Sequence, residues 1–135
     1  MSVPQPARNE GVLEINVLTC DLCNYTLKIT ANEKHFPLDQ KSFVEKIRDC
    51  VIDIHCLCWE ANNIRVAGSE ERYARRIKLE AEAADLCNRL AAYINIAKPL
   101  FHLETRRTIY WMEKTLNVRN KIRAWHDSDA KRLKP

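Results

Sequence analysis

Cysteine and histidine are the residues of this 135-residue chain that could hold a metal ion or act as nucleophiles. Cys20 and Cys23 form a C-x-x-C pair, and Cys56 and Cys58 form a C-x-C pair. Thiolate and imidazole are preferred zinc ligands, but both pairs lie inside stretches with helical periodicity and not in the turns of typical structural zinc sites. Three cysteines fall on apolar seams, where cysteine packs as a small apolar residue: Cys50, Cys58 and Cys87. We therefore expect reduced thiols that serve packing, with no metal and no cofactor. A metal- or redox-responsive protein that uses the two pairs is one alternative.

The sequence carries no pattern typical of a catalytic site. Glycine occurs only at Gly11 and Gly68, which excludes Rossmann and P-loop enzymes because their phosphate-binding loops need clustered glycines. The Glu-x-x-His pairs of di-iron bundles are also absent. A thiol close to an imidazole could act as a nucleophile, but no pattern orients such a pair. We expect no catalytic residue and no enzymatic activity.

Basic residues are concentrated in the last third of the chain. Residues 98–135 carry ten basic and four acidic side chains, a net charge of +6, whereas residues 1–97 carry a net charge of −2. Arg106 and Arg107 are expected at a helix N-terminus, where free backbone amides favour anions. Basic side chains that neutralise phosphates give salt-sensitive, largely sequence-independent affinity for nucleic acid.

The predicted nucleic-acid-binding residues are Arg106, Arg107, Lys114, Arg119, Lys121, Arg123, Lys131, Arg132 and Lys134. A second basic cluster is predicted at the start of the third helix: Arg72, Arg75, Arg76 and Lys78. From charge alone, a solvated face is an equally good interpretation of both sets.

The spacing of apolar residues predicts an all-α protein. Apolar residues recur at intervals of three and four between breaks at Pro37, Gly68 and Pro99, with no competing strand-like alternation. Four helices of similar length joined by short connections favour an antiparallel up-and-down four-helix bundle. We assign residues 1–11 to a flexible N-terminus, residues 12–128 to the bundle and residues 129–135 to a basic C-terminal tail.

Several helix boundaries can be predicted from capping residues. Ser42 with Glu45 has the spacing of a capping box at the start of the second helix, and Gly68 is expected to close that helix. Ser69 is expected to cap the third helix. The fourth helix is predicted from about Thr105 to about residue 128, and its tryptophans, Trp111 and Trp125, are expected in the core.

The longest apolar runs are only a few residues, well short of the roughly 20 needed to cross a bilayer. The N-terminal residues contain no apolar signal core. We expect a soluble, cytoplasmic protein that does not bind a membrane.

The order of several short segments resembles one bacterial family. These segments are His35-Phe36-Pro37, Ile52-Asp53-Ile54, Glu60-Ala61-Asn62, Leu100-Phe101-His102-Leu103-Glu104, Trp111, and the ending Trp125-His126-Asp127-Ser128-Asp129-Ala130-Lys131-Arg132. The set resembles the four-helix-bundle family that includes the accessory variability determinant proteins of diversity-generating retroelements. Distant relatives in that family are encoded in intervening sequences of large-subunit ribosomal RNA genes.

The resemblance implies a non-enzymatic accessory subunit. Such a subunit would assemble as a homopentamer with a positive surface, bind the reverse transcriptase of the retroelement and engage its template RNA or DNA, supporting mutagenic retrohoming. The enzyme would perform the copying. The alternative within the same family is the intervening-sequence type, an interaction module with no reverse transcriptase partner.

Overall fold

In the computed structural model, four long α-helices follow one another along the chain. The structure describes the backbone of residues 4–135 and the side chains of residues 14–135. The helices are α1 (Pro4–Thr30), α2 (Lys41–Asn62), α3 (Glu70–Leu100) and α4 (Thr105–Arg132), with one 3₁₀ turn, Leu38–Gln40, before α2. The described part of the chain contains no β-strand, so the predicted all-α class is confirmed.

The helices form an antiparallel four-helix bundle. Each helix packs against its two neighbours in a ring, α1 on α2, α2 on α3, α3 on α4 and α4 on α1, and the backbones of diagonal pairs do not come close to each other within the described residues. Along each interface, residue numbers rise on one helix as they fall on the other. Two contacts at each interface show this order: Thr19–His55 and Thr30–Arg48, Phe43–Tyr93 and Cys50–Leu86, Arg76–Asp129 and Asn88–Arg119, and Glu14–Lys121 and Asp21–Lys114. The up-and-down order predicted from the short connections is confirmed.

The core lies along the bundle axis and receives side chains from all four helices. In α4 the buried positions recur at spacings of four and three, and they are Trp111, Thr115, Val118, Ile122, Trp125 and Asp129. Both tryptophans are buried, as the sequence predicts. The largest fully buried apolar side chains also include Leu22, Ile47, Ile54, Leu90 and Ile94.

The start and end of α2 differ from the sequence predictions. Ser42 does not cap α2: the helix begins at Lys41, and Glu45 forms an ion pair with Lys41 at 3.8 Å. The preceding 3₁₀ turn supplies the capping carbonyls, because the Lys41 amide donates to the Leu38 carbonyl. Gly68 does not close α2 either, since the helix ends at Asn62. Gly68 instead has a φ of +78° in the loop that leads to α3.

The start of α3 agrees with its prediction. Ser69 has an extended backbone, and its hydroxyl accepts a hydrogen bond from the Arg72 amide at 3.2 Å.

The first and last helices extend beyond residues 12–128, the range that the sequence analysis assigns to the bundle. Helix α1 begins at Pro4, within the segment that the sequence analysis assigns to the N-terminus, and proline is tolerated in a first turn because its missing N–H has no helical partner there. Residues 1–3 of the predicted N-terminal segment lie outside the described residues. At the other end, α4 continues to Arg132, so most of the predicted tail, residues 129–132, belongs to the helix.

The inward face of α1 is unusually polar, because three of its buried residues are threonines, Thr19, Thr26 and Thr30. Each hydroxyl has a partner. The Thr19 hydroxyl lies 2.7 Å from Nδ1 of His55, the Thr26 hydroxyl accepts from Nε1 of Trp111 at 3.0 Å, and the Thr30 hydroxyl donates to the Thr26 carbonyl at 2.7 Å. Buried polar groups are stable only when paired in this way. The bonds of Thr19 and Thr26 therefore set the register of α1 against α2 and α4.

Thr26→Val should lower the free energy of unfolding by about 1–3 kcal/mol, because the buried indole N–H of Trp111 loses its acceptor. Thr115→Val is the matched control. Thr115 is equally buried, but its hydroxyl donates only to the helical carbonyl of Trp111, which keeps its backbone partner. Urea denaturation of both variants measures the difference. Equal losses in the two variants would contradict a special role for the Thr26–Trp111 bond.

Candidate nucleic-acid interface

The predicted basic residues of α4 do not form one continuous strip. Arg106 and Arg107 lie in the first turn of α4 and Lys131 and Arg132 in the last, about 40 Å apart at 1.5 Å per residue. Between them, Lys114 and Lys121 lie on the flank that packs against α1, whereas Arg119 lies on the flank that packs against α3. The predicted set is therefore divided among two ends and two flanks of the helix.

Acidic residues of α1 pair with the basic residues on the first flank. Lys114 donates to the Asp21 carboxylate, and its ammonium lies 5.8 Å from the ring centre of Tyr25 and 5.4 Å from that of Tyr110. The hydrogen bond with Asp21 is the main reason that the pKa of Lys114 is raised. Lys121 pairs with Glu14 at 3.2 Å. The positive charge of this flank is largely balanced within the bundle.

Other predicted residues are also engaged. Arg119 donates to the side-chain oxygens of Asn88 at 2.9 Å and Asn120 at 3.1 Å. Arg107 pairs with Glu104 at 3.3 Å. Among the nine predicted residues, four make no ion pair or side-chain hydrogen bond within the described part of the chain: Arg106, Arg123, Lys131 and Lys134.

The fold brings the predicted second basic cluster to the same end of the bundle as the C-terminal tail. The hydroxyl of Tyr73, near the start of α3, donates to the Ala130 carbonyl, near the end of α4, at 2.9 Å. The loop between α2 and α3 reaches this end as well. We define the basic end by six exposed cations: Arg65, Arg72, Arg75, Lys131, Arg132 and Lys134. Its exposed acids are fewer: Glu60 in the last turn of α2, Glu70 and Glu71 in the first turn of α3, and Asp127 in α4.

Arg76, one member of the second cluster, faces the interior and not the solvent. Its side chain is only 13% exposed, and its guanidinium contacts the Asp129 carboxylate at 2.9 Å and the Glu80 carboxylate at 3.3 Å. The same group donates to the Ile64 carbonyl at 3.2 Å and lies 5.6 Å from the ring centre of Trp125. This arginine joins α3, α4 and the loop between α2 and α3, so it positions the basic end without forming part of its surface.

Two carboxyl groups share the Arg76 guanidinium, and both are fully buried. Burial is the main cause that raises the pKa of Glu80 to about 9, and the neighbouring Asp129 adds to the effect. One Glu80 oxygen has no hydrogen-bond partner in the structure. The raised pKa favours the protonated form of Glu80. Asp129 contacts Arg76 and is also contacted by Arg132 at 3.1 Å.

Sequence reasoning missed Glu80 and Asp129, although a signal for both was present. Glu80 lies four residues before Ala84, which is followed three residues later by Cys87, so Glu80 occupies a core position of α3. Asp129 lies four residues after Trp125 and occupies a core position of α4. An acidic residue at a core position of each of two antiparallel helices, with an arginine one turn away, indicates a buried ion pair. Arg65 was missed because it lies in a loop outside the basic runs.

The cysteines separate into core and surface groups. Cys50, Cys58 and Cys87 are buried, as their seam positions predict, and burial raises the pKa of Cys50 to about 11 and that of Cys58 to about 12. Cys20 and Cys56 are exposed. Since Cys58 lies in the core, the four cysteines of the two pairs cannot converge on one ion. Among the described side chains, no group of three or more His, Cys, Asp or Glu residues is arranged to hold a metal.

No described helix is long and apolar enough to span a bilayer. Comparison with protein-family models, with curated proteins and with solved structures gives no match for this chain.

Ionisation of Glu80 should make the stability of the fold depend on pH. An unfolded Glu80 titrates near 4.5, so between that pH and about 9 the folded chain holds a proton that the unfolded chain has lost. This group therefore lowers the free energy of unfolding as the pH rises through that range. Glu80→Gln replaces the titrating carboxyl with a neutral amide that has nearly the same shape and can still donate a hydrogen bond. The substitution should raise the free energy of unfolding at pH 7 on the order of 3 kcal/mol.

Urea denaturation between pH 5 and pH 9 measures this effect. Glu82→Gln is the control, because Glu82 is half-exposed and its ion pair with Lys78, at 3.9 Å, contributes little. A Glu80→Gln variant that keeps the pH dependence of the parent protein would show that Glu80 is ionised in the folded state.

Proposed function

We propose that this protein is a non-enzymatic nucleic-acid-binding subunit that uses the basic end to hold the phosphates of RNA or DNA. The observation that carries the proposal is the convergence of two separate basic segments, the start of α3 and the end of α4, at one end of the bundle. Lys131, Lys134, Arg72 and Arg75 have side chains that form no ion pair within the described residues. Their charges remain available to a polyanion.

The location of the acids also supports this choice of surface. On the flank between α1 and α4, carboxylates contact the cations directly, so phosphate binding there would have to displace existing ion pairs. At the basic end, Glu70 and Glu71 reduce the positive potential, but they lie at the N-terminus of α3, where negative charge is stabilised by the helix dipole. Asp129 is buried and already bound to Arg76. The basic end therefore gives phosphate the most accessible uncompensated positive charge.

We propose further that the partner is the reverse transcriptase of a diversity-generating retroelement. The ordered segments described above and the antiparallel four-helix bundle support this proposal. In this role the protein would hold template RNA or DNA beside the enzyme during mutagenic retrohoming, most simply as a homopentamer in the cytoplasm. The chemistry would belong to the enzyme.

Reversal of charge at the basic end should abolish most nucleic-acid binding. The test variant carries Arg72→Glu, Arg75→Glu and Lys131→Glu, and its affinity for a single-stranded RNA is measured by fluorescence anisotropy across a salt series. Loss of three phosphate contacts should reduce the slope of log affinity against log salt by about 2. All three side chains are exposed, so circular dichroism should show unchanged helicity.

The control variant carries Lys34→Glu, Lys41→Glu and Lys46→Glu, which makes the same change in net charge at or near the opposite end of the bundle. It should bind RNA with most of the original affinity. If both triple variants lose affinity equally, net charge and not the basic end determines binding. If neither loses affinity, the assignment of the basic end is wrong.

Association with the enzyme is tested separately by size exclusion coupled to light scattering, with and without a reverse transcriptase from the same locus. We expect a pentamer that co-elutes with the enzyme. A monomer or dimer that does not co-elute with the enzyme would favour the alternative, an intervening-sequence type of interaction module with no reverse transcriptase partner.

A further inference from the structure

A cavity of about 330 Å³ opens between α1 and α4 at the end of the bundle opposite the basic end. It lies where the last turn of α1, the loop after α1 and the first turn of α4 meet. Its volume is at the lower limit of the roughly 300–1,000 Å³ typical of small-molecule sites. The cavity therefore has room for one planar base, with an attached sugar and phosphate at its opening, and not for a folded segment of a protein.

Aromatic residues form one side of this cavity. Phe36 and Trp111 are buried behind it with their rings edge to face, 6.2 Å between centres. Tyr25 is half-buried beside them and contacts Tyr110 at 5.3 Å. Neighbouring rings hold this aromatic wall in place. Because Phe36 and Trp111 are almost fully buried, the ring of Tyr25 is the part of the wall against which a planar ring could stack.

Cationic and polar groups surround the opening. Lys28 and Arg107 line the cavity from opposite helices, and the only acid among the lining residues, Glu104, is paired with Arg107. Neither Lys28 nor the ring of His35 makes a hydrogen bond or ion pair within the described residues. The Glu104 side chain does not cap α4, so the amides of the first turn of α4, next to the cavity, have no side-chain acceptor.

We propose that this cavity binds a nucleoside monophosphate group, with the base on the aromatic wall and the phosphate between Lys28, Arg107 and the start of α4. The wall supplies the stacking surface that bases use on proteins. The uncapped first turn and the two cations supply an anion site, and a phosphate can replace Glu104 on Arg107 at little cost because that ion pair is exposed to solvent. The Asn32 amide and the Thr108 hydroxyl, which also line the cavity, can bond to the edge of a base. The phosphate group could come from a free mononucleotide or from the 5′ end of a nucleic-acid strand.

This site is independent of the basic end, because the two lie at opposite ends of a bundle whose helices are about 40 Å long. Substitutions in one therefore leave the other unchanged. A mononucleotide site could exist in a protein that binds no long nucleic acid, and the reverse also holds.

Isothermal titration calorimetry with adenosine monophosphate tests the proposal, with adenosine and inorganic phosphate as partial ligands. The nucleotide should bind more tightly than either partial ligand. Lys28→Ala with Arg107→Ala should weaken its binding by at least about tenfold, because two charge-assisted hydrogen bonds are lost. The control is Lys34→Ala with Arg106→Ala, which removes two neighbouring exposed cations that do not line the cavity and should leave affinity unchanged.

Tyr25→Leu separates base recognition from phosphate recognition. It should weaken binding of adenosine monophosphate and of adenosine but leave inorganic phosphate unaffected, with helicity unchanged by circular dichroism. Absence of nucleotide binding at millimolar concentration would overturn the proposal. Equal affinity for inorganic phosphate and the nucleotide, or equal affinity in the Lys28/Arg107 variant and the parent protein, would overturn it as well.

Single-stranded oligonucleotides with a 5′-phosphate or a 5′-hydroxyl distinguish the two sources of the group. A preference for the 5′-phosphate that disappears in the Lys28/Arg107 variant assigns the site to the end of a strand. Binding of the mononucleotide without such a preference assigns it to the free nucleotide.

Discussion

The Arg76 guanidinium is the contact on which the organisation of one end of the bundle depends. It bonds to a carboxylate of α4, to a carboxyl of its own helix and to a loop carbonyl, while it lies against Trp125. A buried cation of this kind is stable only when each donor has an acceptor, and a missing acceptor costs more than the pair contributes. The cluster therefore allows only one arrangement of α3, α4 and the loop between α2 and α3. The exposed cations of the basic end take their relative positions from that arrangement.

A second constraint concerns the middle of the bundle. Each helix there packs on two neighbours, so most side chains either fill the core or line an interface between helices. Charged residues at such an interface meet the residues of the adjacent helix, and in this chain the lysines of α4 meet the acids of α1, Asp21 and Glu14. Their charges are largely cancelled before any ligand approaches. Net charge along one helix is therefore a poor guide to surface potential.

Much of the fold could be predicted from sequence, because helix periodicity, short connections and the Ser69 cap depend on local residues. The misplaced boundaries have specific physical causes. Ser42 and Glu45 have the spacing of a capping box, but the 3₁₀ turn before them supplies the caps from the backbone, which spacing does not reveal. The sequence predicts an end of the fourth helix near residue 128, before the observed end at Arg132, because an aspartate such as Asp129 is usually a surface residue and its partner on α3 is not visible in the sequence. For the same reason the interior position of Arg76 could not be predicted: its acceptors lie on three separate segments.

The ends of an up-and-down bundle differ physically from its middle. Helix termini leave backbone groups without helical partners, and loops there bring together residues that are distant in sequence. In this chain one end gathers aromatic rings, an uncapped helix start and two cations around a cavity, whereas the other gathers exposed cations over a buried ion cluster. The core between them holds apolar side chains, three buried thiols and paired threonine hydroxyls. Since packing occupies the middle, recognition of ligands in this protein is concentrated at the two ends, each with its own chemistry.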